Sequence, residues 1–346
     1  MTITRIWQAG AELNNILSEF DSVSGGSIDT SSAAAQTGTY SFRINSSVRY
    51  ADKVLSSALT QGRVGFFINH NGVPASNNPA VFTLYNTSTA CITIRWNGTE
   101  LSLRAGSTVL GTALSPGFAT TGAWHHIGLD VNIAGSGGWA YLYLDGTPVI
   151  EFDGDTNDGA TSFNKVTIGS PIASNVWGTP TYYDDIYVEN TSGESAPTAP
   201  PDYRFLVATP AGNGYISQWD GNDGNSTDNY LLVDEVPPDN DTTYVESAVS
   251  GESDSYTMTD PTIPTGWEVS AVIAFAVVKK LNAGGALDLK LETRTTIGGS
   301  PSYATSSPIA LGTSYAVVWE RRPLNPSGGS WTEAMIDDLE IGVHAD

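Results

Sequence analysis

The chain has 346 residues, 40% of them hydrophobic and only 15% charged, with 36 glycines and 18 prolines. Fifteen Lys and Arg face 37 Asp and Glu, a formal charge of −22, which excludes the phosphate-neutralising surface that nucleic-acid binding needs. No apolar run reaches the length that spans a bilayer, so membrane insertion is not expected.

Few charges, many small residues and many aromatics point to an all-β chain rich in turns. At this length two domains are expected. Met1 is followed by Thr-Ile-Thr-Arg-Ile-Trp, without the apolar core or cleavage site of a secretory signal, so synthesis in a cytoplasm is expected. Cys91 is the only cysteine, which leaves no internal disulfide. It sits in the alternating stretch Ala-Cys-Ile-Thr-Ile and is read as a buried thiol.

Strands are expected at Thr2–Trp7, at Tyr40–Arg49, where Tyr40, Phe42 and Ile44 share a face, and at 62–68. Residues 11–20 fit either two or three helical turns or a strand pair. Asn69 to Pro79 reads as a loop. A meander follows through Val81–Tyr85, Cys91–Trp96 and Leu101–Ala105, with Asn97-Gly98 as a hairpin turn. Residues 106–123 are small and turn-rich.

The clearest pattern is Trp124 to Gly146. Ile127, Leu129 and Val131 alternate with His126, Gly128 and Asp130, then Leu142 and Leu144 alternate with Tyr141, Tyr143 and Asp145. Side chains alternate faces along a strand, so this is a hairpin with one buried side. Val149–Phe152, Lys165–Gly169 and Tyr182–Val188 read as the closing strands. Thr191 to Asp202 carries three prolines among small polar residues and reads as a stiff linker. The expected division is therefore 1–190, a linker over 191–202, and 203–346.

In the second part Val269–Val278 is apolar on both faces, which predicts a strand covered on both, from within or by a partner. Asn282 to Gly285 turns it into Leu287–Thr293, and Tyr315–Glu320 is a third strand.

Two resemblances follow from these residues. Trp-His-His-Ile-Gly-Leu (124–129) followed by Tyr-Leu-Tyr-Leu-Asp-Gly (141–146) resembles the central hairpin of laminin-G-like, concanavalin-A-type jelly rolls, and Tyr182-Tyr-Asp-Asp-Ile-Tyr-Val resembles their last strand. This implies a jelly roll over 1–190, the first of two expected antiparallel β-sandwich domains, but not a function, because the fold hosts lectins, glucanases, adhesion modules and virus coat parts. Tyr230-Leu-Leu-Val-Asp-Glu-Val-Pro-Pro-Asp, Asp241-Thr-Thr-Tyr-Val and Trp331-Thr-Glu-Ala-Met-Ile-Asp-Asp-Leu-Glu-Ile-Gly-Val resemble a β-sandwich module of bacteriophage structural proteins. That resemblance implies a virion part.

Chemistry is sparse. The nearest approach to the glucanase motif Glu-x-Asp-x-x-Glu is Tyr183 to Glu189, with Asp185 and Glu189 taken for the last two places and Tyr183 where the nucleophile belongs. A motif without its nucleophile predicts no hydrolase. His125 and His126 point to opposite faces of one strand and cannot share a metal, and no Cys/His cluster accompanies His70 or His344. Asp153, Asp155 and Asn157 present oxygens at alternate positions of an acidic loop and are the calcium candidates. The EF-hand spacing is not met, so a polar turn is preferred and no cofactor is expected.

Glycan contact would fall to Trp139, Trp177 and Trp219, with Asp220 and Asn222 beside the last, since sugars stack on aromatic faces. The competing reading is that these tryptophans pack at the sandwich rim. The sequence thus predicts a non-catalytic bacteriophage virion accessory protein on the particle surface at the head, neck, collar or tail. Its partners would be other virion proteins and further copies of itself, with glycan contact by the first domain. The alternatives are a tail-tip adhesin and, more remotely, a polysaccharide hydrolase.

Overall fold

The computed structural model describes residues 3–24, 28–44, 49–72, 78–115, 117–119, 121–171, 179–283 and 288–346. The chain is all-β and forms two compact units, Met1–Phe205 and Leu206–Asp346. The division falls after the proline-rich segment, whose residues belong to the first unit.

Among the described residues the first unit holds an eight-stranded and a seven-stranded antiparallel sheet. The eight-stranded sheet runs Thr147–Gly154, Gly138–Leu144, Trp124–Asn132, Gln61–His70, Thr181–Asn190, Ser41–Ile44, Ile28–Ser31, and Thr4–Ala9 also pairs with Thr181–Asn190. The expected hairpin is present, with Ile127 opposite Leu144 and Asn132 opposite Trp139. Asp145 and Gly146 both take positive φ, 50° and 77°, the conformation a two-residue hairpin turn needs.

The seven-stranded sheet runs Thr108–Leu114, Glu100–Ala105, Thr89–Trp96, Ala80–Asn86, Phe163–Ser170, Arg49–Leu59, Ser22–Ser24. The core lies between the sheets. Val64, Phe66 and Ile68 meet Phe82, Leu84, Ile92 and Ile94 there, all with no exposed surface, and the Phe66 and Phe82 rings stack at 5.2 Å. Cys91 is buried in this core.

Three expectations need revision here. The stretch 11–20 supplies a single helical turn, Ile16–Glu19, capped by the Asn15 side chain on the Leu17 amide. The turn-rich stretch 106–123 contains the edge strand Thr108–Leu114, hidden because an edge strand with one face in water needs little apolar patterning. Strand alternation breaks inside Thr181–Asn190. Asp185 adopts φ +50°, and the pairing with Gln61–His70 slips between Asp184 and Tyr187. Such a bulge shifts every later side chain to the opposite face.

In the second unit a five-stranded sheet orders Pro210–Ser217, Ser253–Met258, Glu340–Ala345, Leu289–Ile297, Ser300–Thr305. Val272–Val278 does not form a hairpin with Leu289–Ile297 as expected. It pairs with Ala316–Arg322 in a two-stranded ribbon, Phe275 opposite Trp319. Ala274 packs against Leu289 and Leu291, and Val272 against Trp331, Ile336 and Leu339, so one apolar face is covered by described residues of the unit. On the other face Phe275 and Trp319 remain 39% and 37% exposed.

Candidate functional site

A sugar-cleaving site on this fold would need acids on the open face of the large sheet. The middle of that face carries Arg5, Arg63, Phe67, His126, Asp130, Trp139, Tyr187 and Glu189, every one of them buried, while Glu151 and Asp153 on the edge strand Thr147–Gly154 are exposed. The cover is the chain itself. The segment 191–202, expected as a stiff linker between domains, lies along the sheet with 203–205 as a strap.

Each strap contact has a defined partner. Gln61 donates to the Glu194 carbonyl at 3.0 Å and accepts from the Gly193 amide at 3.1 Å. The Thr198 amide donates to Asp130 at 3.1 Å. Pro200 sits over Gly128, where a β-carbon would come within 2.9 Å of its ring. The Tyr187 hydroxyl donates to the Pro201 carbonyl at 2.5 Å. Tyr203 packs edge-on against Tyr187, Arg5 lies 4.5 and 4.7 Å from those two rings, and Arg204 stacks 3.8 Å from Phe67. Proline stiffness, read as spacing between domains, serves here to hold an extended segment with little entropy loss.

Beneath the strap the charges are paired. Arg63 bridges Asp130 at 3.0 Å and also meets Glu194, and Arg5 bridges Glu189 at 3.0 Å. The glucanase-like positions do not converge. Tyr183 points into the core and donates to the Val81 carbonyl at 2.8 Å, Asp185 sits in the bulge, and Glu189 faces the strap. Strict spacing would in any case put Val188 in the last place. Asp184 accepts from the Gln36 and Thr37 amides, and Asp185 accepts from the Thr37 hydroxyl and the Phe205 amide, each at 2.8–3.3 Å. Burial, and for Asp184 the adjacent Asp185 charge, push both carboxyls above the usual carboxylate range. Both acids shape the backbone and have no free face toward a substrate.

The sequence candidates for glycan contact are not assembled. Trp139 is 8% exposed and its indole N–H is spent on Asp130 at 2.8 Å, so its ring is not a platform. Trp219 is half-buried against the second unit's core and donates to the Glu252 carbonyl at 3.2 Å. Asn222 ties its own loop to Thr242 and Tyr244, while Asp220 is exposed in a two-residue strand. Trp177 lies outside the described residues.

The calcium candidates are likewise turned apart. Asp153 accepts from the Tyr141 hydroxyl at 2.9 Å, and Asp155 accepts from the Asn157 amide at 2.9 Å. Their neighbour Asp158 caps the Ser107–Thr108 turn, whose amide and hydroxyl donors hold its carboxyl below the usual range. Among the described residues no group of three His, Cys, Asp or Glu side chains is placed to hold a metal ion. His125 and His126 face opposite ways as expected. His125 bonds Asp145 at 2.8 Å, and the His126 ring packs 5.0 Å from Phe67.

The concavity that sequence reading missed lies in the second unit. It has a volume of about 470 Å³. One wall is Ile263 and Trp267 to Ser270, the other Pro323 and Ser330 to Glu333. The Trp267 amide closes a turn on the Pro264 carbonyl at 3.1 Å, with Gly266 at φ +88°, a conformation that a residue with a side chain resists. That turn leaves Trp267 45% exposed. On the far wall Trp331 is 4% exposed and donates to the Arg322 carbonyl at 2.9 Å. Asn325 fixes the loop before it by donating to the Ser330 carbonyl and accepting from the Ser327 and Gly329 amides. The Pro-Thr-Gly-Trp turn was the available sequence signal.

No protein-family model matches this sequence, and no curated protein sequence does. Among solved structures, the cellulose induced protein Cip1 is 16% identical with a TM-score of 0.37, over 50% of this chain and 87% of that one. The conserved carbohydrate esterase vb_24B_21 from Shiga toxin-encoding bacteriophage phi24B is 16% identical with a TM-score of 0.39, over 55% and 100%. The alginate lyase Aly36B is 13% identical with a TM-score of 0.36, over 55% and 97%. Likenesses this distant carry no argument about activity.

Proposed function

We propose that this chain is a non-catalytic accessory protein of a bacteriophage virion, acting through protein–protein assembly. The observation that carries the non-catalytic part is the strap. The middle of the open face of the large sheet is covered by residues 191–205, and the carboxylates beneath that strap are tied to arginines or to backbone amides. An enzyme needs at least one reacting group free to approach substrate.

The virion part rests on the resemblance of residues 230–245 and 331–343 to a phage structural module. Partners would be other virion proteins and further copies of the chain, on the outside of the particle. A tail-tip adhesin is the second reading, favoured by the cleft beside Trp267.

Immunogold labelling of purified particles tests the proposal. Symmetric label on head, neck, collar or tail shaft is the expected result. Label confined to the tail tip would select the adhesin, and particles without label would overturn the virion reading.

A further inference from the structure

We propose that the cleft between Trp267 and Trp331 is a binding site for uncharged sugars. Its volume, about 470 Å³, lies within the roughly 300–1,000 Å³ of small-molecule pockets. The walls combine an exposed indole with oxygen acceptors, the two features a pyranose uses. Its C–H face packs on an aromatic ring, and its hydroxyls donate to carboxylates and hydroxyls. Trp267 supplies the ring, Glu268 and Glu333 the carboxylates, and Ser270 and Ser330 the hydroxyls.

The charge sets the class of sugar. Neither Lys nor Arg lines the cleft, and two glutamates do. The whole chain carries −22. A uronate or sialate would bring a carboxylate into this field beside two glutamates. Hexoses and N-acetylated hexosamines meet no such penalty.

The walls are built rather than loose. The Pro264–Trp267 turn is hydrogen-bonded, Asn325 braces the opposite loop, and Trp331 is anchored through its N–H. A preformed site avoids the ordering cost that weakens shallow sugar sites.

The inference goes beyond the assembly reading and does not depend on it, because sugar binding is measured on the free protein. The full chain is titrated by calorimetry with cellotetraose, chitotetraose and mannotetraose, and with tetragalacturonate as the anionic control. We expect at least one neutral tetrasaccharide to bind with a Kd in the millimolar range or tighter, and no heat from tetragalacturonate. Trp267→Ala should weaken that binding about tenfold or more, equivalent to about 1.4 kcal/mol. Trp219→Ala should leave it unchanged. Glu268→Gln provides a second, sterically silent variant that should also weaken it. The absence of binding by all three neutral sugars at about 10 mM would overturn the proposal. So would affinity that survives Trp267→Ala, or equal affinity for tetragalacturonate.

Discussion

Arg63 and Asp130 face each other across adjacent strands at 3.0 Å, with side chains 3% and 1% exposed. The pair anchors more than itself, because Asp130 also accepts the Trp139 indole and the Thr198 amide of the strap. Asp130→Ala leaves two donors without an acceptor and the buried guanidinium with Glu194 alone. Removing one member of a buried ion pair typically costs about 3–5 kcal/mol. Urea unfolding should register a loss of this size, and a loss under about 1 kcal/mol would mean that water already reaches the pair.

The strap should loosen when its seat is filled. Gly128 has room for no β-carbon, since Pro200 Cδ would stand 2.9 Å away. Gly128→Val should lift residues 198–201 while the sandwich stays folded. Hydrogen exchange at the Thr198 amide reads this directly, because that amide is bonded to Asp130 in the wild type. Unchanged protection in the variant would contradict the arrangement.

The stability of the first unit should fall as pH rises. Burial raises Asp184 and Asp185 and pushes Glu19 up to about 7. The folded form therefore holds protons that the unfolded form, with carboxyls near about 4, has already released. The stabilisation is complete below the unfolded values and is lost as pH climbs toward neutrality. Asp185→Asn keeps the acceptor for Phe205 and suits the positive φ that asparagine tolerates. It should add on the order of 2 kcal/mol at pH 8 and flatten the pH profile measured by urea midpoints between pH 5 and 8. A variant less stable at pH 8 would mean that the ionised acid is favoured where it sits.

Cys91 should be silent in the native state. Burial pushes its thiol up to about 11, and its side chain lies in the core. At pH 8 the thiolate is the minor form, and the reagent has no path to it. Ellman's reagent should react only in step with unfolding. Rapid labelling of the folded chain would reveal an opening of the strand Thr89–Trp96.

Much of the fold was legible because period-two patterning is a local property. Ile127, Leu129 and Val131 announce their face without knowledge of what covers it. The partner of a face is a property of the whole chain, and there the reading failed. Val272–Val278 looked like half of a hairpin, but its small residue Ala274 lets it stack on Leu289 and Leu291 rather than pair with their strand. The Asp184–Asp185 bulge was hidden for a similar reason. Aspartate tolerates left-handed backbone, but the residues that pay for it, Gln36, Thr37 and Phe205, are far away in sequence. The prolines of 191–202 were visible, but not what they would lie against.

The strand Thr4–Ala9 pairs along Thr181–Asn190, with Thr4 beside Asn190, and Arg5 is locked to Glu189. On a ribosome the first of these is made long before the second. At about 5–20 residues per second, the earliest strand waits roughly ten to forty seconds for its neighbour to be synthesised. Until then it has no edge to join, and the growing sheet has an open side where that strand belongs. Until residue 190 is made, the half-made protein therefore carries a strand and a sheet edge that are open to pairing with another nascent copy at this seam.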